Sequence, residues 1–263
     1  MNPPHDIDRR AHDPAGTRDD VATTTREGGR PVVVAIDGPS GSGKSTVSRR
    51  VAERLGLAYL DTGAMYRAAT WWALHRGVSL TDSGAVAALV REMPLVMGVD
   101  PCDPGVHVDG HDVGKAIRET AISSAVSAVA TNLEVRAELG RRQRAEIAAQ
   151  SASSSFSGGR GIVAEGRDIT TVIAPDADVR LLLTASEEAR LARRAREVHG
   201  TDDDAAVEAT RDQVVRRDAD DSTVSQFLVA SDGVVTVDSS LLDLDQTVQA
   251  VLDVIARTAG VHA

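Results

Sequence analysis

Short apolar runs rich in β-branched residues recur along the chain: Val32-Val33-Val34-Ala35-Ile36, Leu57 to Leu60, Ile162 to Ala164, Val179 to Leu183 and Val234 to Val237. Runs without polar alternation suit strands buried on both faces, because each side of the pleat then meets apolar neighbours. Amphipathic helical stretches lie between them, for example Val47 to Leu55 closed by Gly56 and Ala64 to Arg76 closed by Gly77. Glycine there supplies the left-handed residue that ends a helix. Strands alternating with helices predict an α/β fold, with a five-stranded parallel sheet covered by helices on both sides in three layers.

Two stretches break this rhythm. From Leu95 to Val113 the pattern reads as two or three short strands, turning at Asp100-Pro101-Cys102-Asp103-Pro104-Gly105 and again at Asp109-Gly110. That predicts a small antiparallel insert, placed at about residues 86–118. From Glu187 to Arg217 two helical segments laden with Arg and Asp meet near Gly200, a helical flap at about 187–221. Residues 1–30 lack apolar periodicity and read as a disordered tail, so residues 31–263 form the one folded domain. The tail carries too many acids for a transit peptide and no apolar core for a secretory signal.

Composition narrows the function classes. A formal charge of -10 argues against a surface that coats nucleic acid, which needs a broad basic face. Apolar residues make up 42% of the chain, yet no run approaches the eighteen or so needed to span a bilayer, so a cytoplasmic protein without membrane partners is expected. The single Cys102 cannot form an internal disulfide. Of 29 basic residues only Lys44 and Lys115 are lysine, which leaves 27 arginines.

One of those two lysines completes Gly38-Pro39-Ser40-Gly41-Ser42-Gly43-Lys44-Ser45, a match to G-x-x-x-x-G-K-[ST] set between a predicted strand and a predicted helix. Glycines let the backbone wrap a β-phosphate with its N–H groups, and the helix that follows points its positive end at the same place. Lys44 adds a mobile positive charge, and Ser45 offers a hydroxyl to Mg²⁺. Composition alone yields such a match in roughly two of a thousand chains like this one. The motif predicts a P-loop NTPase fold that binds a nucleoside triphosphate.

Ligands in open parallel sheets lie beyond the carboxyl ends of the strands. Three strands here end in polar clusters: Asp37 to Ser45, Asp61-Thr62-Gly63 with Arg67, and Glu165-Gly166-Arg167-Asp168. Phosphoryl transfer passes through a loose transition state that asks for positive charge rather than covalent help. Arginine, with its planar two-point fork, is the side chain for that task. Candidates are Arg67, Arg167, Arg193, Arg194, Arg216 and Arg217.

With these residues assembled, the chain resembles the bacterial cytidylate kinases over roughly residues 31–255. The likeness rests on Ile36-Asp37-Gly38-Pro39, Leu60-Asp61-Thr62-Gly63-Ala64-Met65-Tyr66-Arg67, Ser127-Ala128-Val129-Ala130 followed by Val135-Arg136, Glu165-Gly166-Arg167-Asp168-Ile169, and Arg216-Arg217-Asp218 with Asp221-Ser222. The resemblance implies ATP held by Gly38 through Ser45, Thr46 and Arg193, with Lys44, Arg167 and Arg217 catalytic and Mg²⁺ at Ser45. It implies CMP or dCMP held by Thr62, Arg67, Ser127, Arg136, Arg167, Asp168, Arg217 and Asp221, with the insert binding the monophosphate and the flap acting as lid; a monomer is expected. A carboxylate such as Asp168 accepts from the cytosine amino group and repels the uracil carbonyl, which supports its role as base reader.

The chain departs from the family pattern in three places. Val224 stands where the family has an arginine, Thr170 replaces a usual Gly, and Gly114 and Ala116 replace more polar residues. Another small acceptor (UMP, AMP or shikimate) and a nucleotide-binding pseudokinase are the remaining alternatives. A guanine-nucleotide switch is disfavoured, because Lys115 between Gly114 and Ala116 cannot supply an Asn-Lys-x-Asp element.

Overall fold

The computed structural model describes residues 29–263, so the expected tail lies outside the described residues except for its last two. Strand β1 (Val32–Asp37) leads through the glycine loop into helix α1 (Lys44–Leu55), then β2 (Ala58–Asp61), α2 (Thr62–His75) and α3 (Ser83–Arg91). A short excursion follows, with β3 (Leu95–Met97), β4 (Val106–Val108) and β5 (His111–Asp112), before α4 (Thr120–Ala130) and α5 (Leu133–Ala149). The chain returns through β6 (Gly161–Gly166), β7 (Val179–Thr184), α6 (Glu187–His199), α7 (Asp204–Ser222), β8 (Val235–Asp238) and α8 (Leu244–Ala259).

Five strands form one sheet in the order β2-β6-β1-β7-β8, and every pairing is parallel. The five apolar runs of the sequence are these strands. Alternate side chains feed two cores. Ala35, Leu60, Ile162 and Ala164 pack with α2, α4 and α5 on one side. Val34, Ile36, Tyr59, Val163, Leu181 and Leu183 pack with α1 and α8 on the other. This is the three-layer α/β architecture the pattern predicts, and its strands need apolar residues on both faces.

The antiparallel three-stranded sheet β3-β4-β5 occupies the predicted insert. Its tight turn falls at Asp109 and Gly110, with φ of 51° and 77°, the two left-handed residues that a two-residue hairpin loop demands. The flap is α6 and α7, joined beyond Gly200, which caps α6 in the left-handed conformation. Its two helices pack on one another, and α7 also touches α4 across the site.

Candidate functional site

The carboxyl ends of β1, β2 and β6 converge on one cavity, roofed by the flap. Ser40, Gly41, Gly43, Lys44, Ser45 and Thr46 line its floor. Gly43 precedes α1 with a φ of 87°, a conformation that turns the loop back on itself and favours glycine. Lys44 Nζ donates to the Pro39 carbonyl at 3.1 Å. Burial pulls the Lys44 ammonium down to about 8, with Arg167 and Arg217 reinforcing the shift and Glu165 opposing it.

Two carboxylates stand side by side at this floor, since Asp61 and Glu165 are register partners of the parallel β2–β6 ladder. Glu165 accepts from Ser45 Oγ at 2.6 Å and from the Tyr59 hydroxyl at 3.3 Å. Burial raises the Glu165 carboxyl, and the neighbouring Asp61 charge adds to the effect. Burial also acts to raise Asp61, but Arg67 and the Ala64 amide outweigh it and hold that carboxyl low. Asp61 caps α2 through Ala64 N at 2.7 Å and holds Arg67 at 2.9 Å. Thr62, which follows, is buried and donates to the Glu165 carbonyl at 2.8 Å.

Arginines crowd the walls. Arg67 comes from α2, Arg118 from the turn Ala116–Arg118, Arg167 from the end of β6, Arg194 from α6 and Arg217 from α7. Arg167 donates to Asp218 at 2.8 Å, pairs with Asp221 at 2.7 Å and lies 4.3 Å over the Phe227 ring. Arg217 approaches Asp221 at 3.7 Å. Burial, then the charges of Arg167 and Arg67, depress the Arg217 guanidinium to about 10. Like charges gathered this closely favour an anion among them.

Behind this wall Asp168 and Arg136 form an ion pair, and Arg136 sits 5.9 Å over the Tyr66 ring. Burial raises the Asp168 carboxyl against the pull of Arg136. The structure therefore brings together Arg136, on α5, and Asp168, two residues beyond β6. Ser127 lies half-buried on α4, where its main-chain carbonyl accepts from Thr131 at 3.0 Å.

Arg193 is placed elsewhere. It lies behind the glycine loop, donating to the Ser42 carbonyl at 3.3 Å, to Ser239 Oγ at 2.9 Å and to the Ser239 carbonyl at 2.6 Å. It buttresses the loop and does not line the cavity. Val224, where the resemblance led one to look for an arginine, is likewise absent from the cavity lining.

Sequence reasoning gave no role to Glu165, Asp61, Asp218 or Arg190. The first two end strands and so carried a positional signal. Asp218 had a weaker one, its place next to Arg217. It accepts from Ser40 N at 3.0 Å and from Arg190 at 2.5 Å, and Arg190 also donates to the Ser40 carbonyl at 3.0 Å. These two residues clasp the glycine loop to the flap.

Comparison with known proteins agrees with this geometry. A family model described as Cytidylate kinase matches residues 34–257. The protein named Cytidylate kinase from Nocardia farcinica is 51% identical over 233 residues, covering 86% of this chain and 94% of its own length. Its namesake from Streptomyces avermitilis is 46% identical over 225 residues, covering 85% and 92%. That from Cutibacterium acnes is 49% identical over 230 residues, covering 87% and 97%. With a family model spanning most of the fold and relatives this similar over nearly their whole length, the chain belongs to the cytidylate kinase family.

Proposed function

We propose that the protein is an ATP-dependent (d)CMP kinase, giving ADP and CDP or dCDP, with the residues of this cavity in the following roles. The observation that carries the reading is the juxtaposition of a glycine loop, Lys44 and an arginine-walled cavity, with Asp168, the residue after the wall-lining Arg167, paired to Arg136 just outside the lining. That arrangement suits one anion at the loop and a second nucleotide whose base reaches the pair.

Residues Gly38 to Thr46 hold the triphosphate, with backbone N–H groups and the α1 dipole around the β-phosphate. Lys44 gains its full positive charge there, because a bound phosphate offsets the desolvation that depresses it. Ser45 and Glu165 offer hard oxygen donors at the loop, a set suited to Mg²⁺ completed by phosphate and water. Mg²⁺ held there would supply positive charge that offsets the charge of the phosphates. Arg193 supports this loop from behind.

Arg67 and Arg167 hold the acceptor phosphate, and Arg217 neutralises the phosphoryl group in flight. The acceptor phosphate, with its last pKa near 6, is ionised at pH 7 and needs no general base. Thr62 and Asp221 bind at the phosphate and sugar, while Ser127, Arg136 and Asp168 read cytosine. The insert β3-β4-β5 serves the monophosphate and α6–α7 serve as lid. One chain supplies all these groups, so the proposed chemistry needs no residue from a second copy. Among the described residues no helix is long and apolar enough to cross a membrane, which is compatible with the cytoplasmic location proposed here.

The test is an acceptor panel (CMP, dCMP, UMP, AMP and shikimate) assayed with ATP and Mg²⁺, on the parent and on Asp168→Ala. CMP and dCMP should be preferred, and the preference over UMP should fall about 10- to 100-fold in the variant, the scale of one specific base contact. A parent that favours another acceptor, or an Asp168→Ala variant with undiminished preference for CMP, overturns the reading.

A further inference from the structure

Asp168 does not stand on regular structure. It begins a π-helical turn, Ile169–Ile173, a rare conformation that needs outside support. The Asp168 carbonyl accepts from Val172 N at 2.9 Å and Ile173 N at 3.1 Å, so the turn closes on the same residue that faces Arg136. Its first two amides have no partner within the turn. Both are taken by Asp37, the last residue of β1, with Ile169 N donating to Oδ1 at 2.9 Å and Thr170 N to Oδ2 at 2.8 Å. Thr170 Oγ1 donates to the same Oδ2 at 2.6 Å. Asp37 is 1% and Thr170 3% exposed.

We propose that Thr170, through its hydroxyl bond to Asp37, is a positioning residue that fixes the angle at which Asp168 meets the acceptor base. This rests on the reading that Asp168 and Arg136 recognise cytosine. Asp37 is in turn fixed in the central strand, paired with Gly166 on one side and Leu182 on the other. The next residue is Gly38, so one rigid point anchors both the triphosphate loop and the base reader. Three donors hold this buried carboxylate in place and offset part of its desolvation, and losing one leaves that cost less compensated. The far end of the turn is also held, since Ile173 packs beside Gly140 of α5, one helical turn from Arg136. The Thr170 hydroxyl bonds Asp37 and neither partner of the base-reading pair, so its influence on the base passes through the turn.

Thr170→Val keeps the shape and deletes the hydroxyl. Losing a hydrogen bond of this kind corresponds to roughly a fivefold change in an equilibrium. We expect KM for CMP to rise about fivefold and the CMP-to-UMP preference to narrow by a similar factor, with KM for ATP changed less than about twofold. Thr170→Ser, which retains the hydroxyl, should restore both. Thermal melts identify folded protein, and Thr170→Ala replaces the valine variant if that one does not fold. A folded hydroxyl-less variant with the parental CMP-to-UMP preference overturns the proposal, as does a serine variant as impaired as the valine one. Asp168→Ala is assayed alongside. If it too leaves the preference intact, the base-reading assignment fails and takes this proposal with it; if only the Thr170 variants are silent, the positioning role alone is lost.

Discussion

Lys44 is held in the P-loop at an energetic cost to the fold. Its ammonium has one bond, to the Pro39 carbonyl at 3.1 Å, and two arginines face it across the cavity. For a lysine whose native value is about 8 against 10.5 in the unfolded chain, the unfolded state binds more protons between those values. Stability therefore rises with pH across that window, and the penalty is complete below pH 8. The full shift corresponds to ~3 kcal/mol, an upper bound because the side chain is half-buried and still reached by water. Lys44→Met should thus raise the melting temperature of nucleotide-free protein at pH 7, by a gain that shrinks toward pH 10, while lowering kcat at least 100-fold. Melts at the two pH values and a turnover assay check both halves; a destabilised variant at pH 7 would contradict the account of Lys44.

At the scale of elements, the junction between β6 and β1 leaves no room for a side chain. Gly161 opens β6 with a φ of 115°, and a Cβ there would lie 1.9 Å from the Val32 carbonyl oxygen. Both the backbone angle and the contact exclude any other residue, and the Val32 atoms it would meet are backbone, not a flexible side chain that could yield. Gly161→Ala should cost at least ~3 kcal/mol, seen as a lower urea midpoint at unchanged slope, with kcat per folded molecule preserved. The sheet itself was legible in the sequence because β1, β2, β6 and β7 are buried on both faces, which leaves unbroken apolar runs, whereas the edge strand β8 is exposed at three of its four residues. The insert was legible through Asp109-Gly110, a dipeptide that fits only a tight turn. The clasp of Asp218 and Arg190 on Ser40 was not, because it joins residues 150 or more positions apart and depends on how far α6 and α7 lean over the loop. Arg193 shows the same limit. It adjoins Arg194 on α6, and the sequence alone cannot say which of them lines the cavity and which reaches Ser239 behind the loop.

Over the whole molecule, a net charge of -10 encloses a pocket of opposite sign, where Arg67, Arg118, Arg167, Arg194 and Arg217 line the same walls as Lys44. Acidic side chains offset part of that charge. Asp61 holds Arg67, while Asp218 and Asp221 hold Arg167. Arg217 is weakly compensated, since its carboxylate contact among the described residues is Asp221 at 3.7 Å, and its Nε is buried without a hydrogen-bond partner. A small dianion should therefore stabilise the fold by binding among these arginines, beyond any general effect of ionic strength. At ten times its dissociation constant such an ion adds about 1.4 kcal/mol, a rise of roughly 3–5 °C for a chain of this length. Sulfate should produce that rise where sodium chloride of equal ionic strength does not, and Arg217→Gln should remove at least about half of it. The same variant should melt no lower than the parent in chloride, because the charge it deletes is desolvated and faces Arg167 and Arg67. Equal sulfate shifts in parent and variant would mean that the anion binds elsewhere and that Arg217 is an ordinary structural residue of α7.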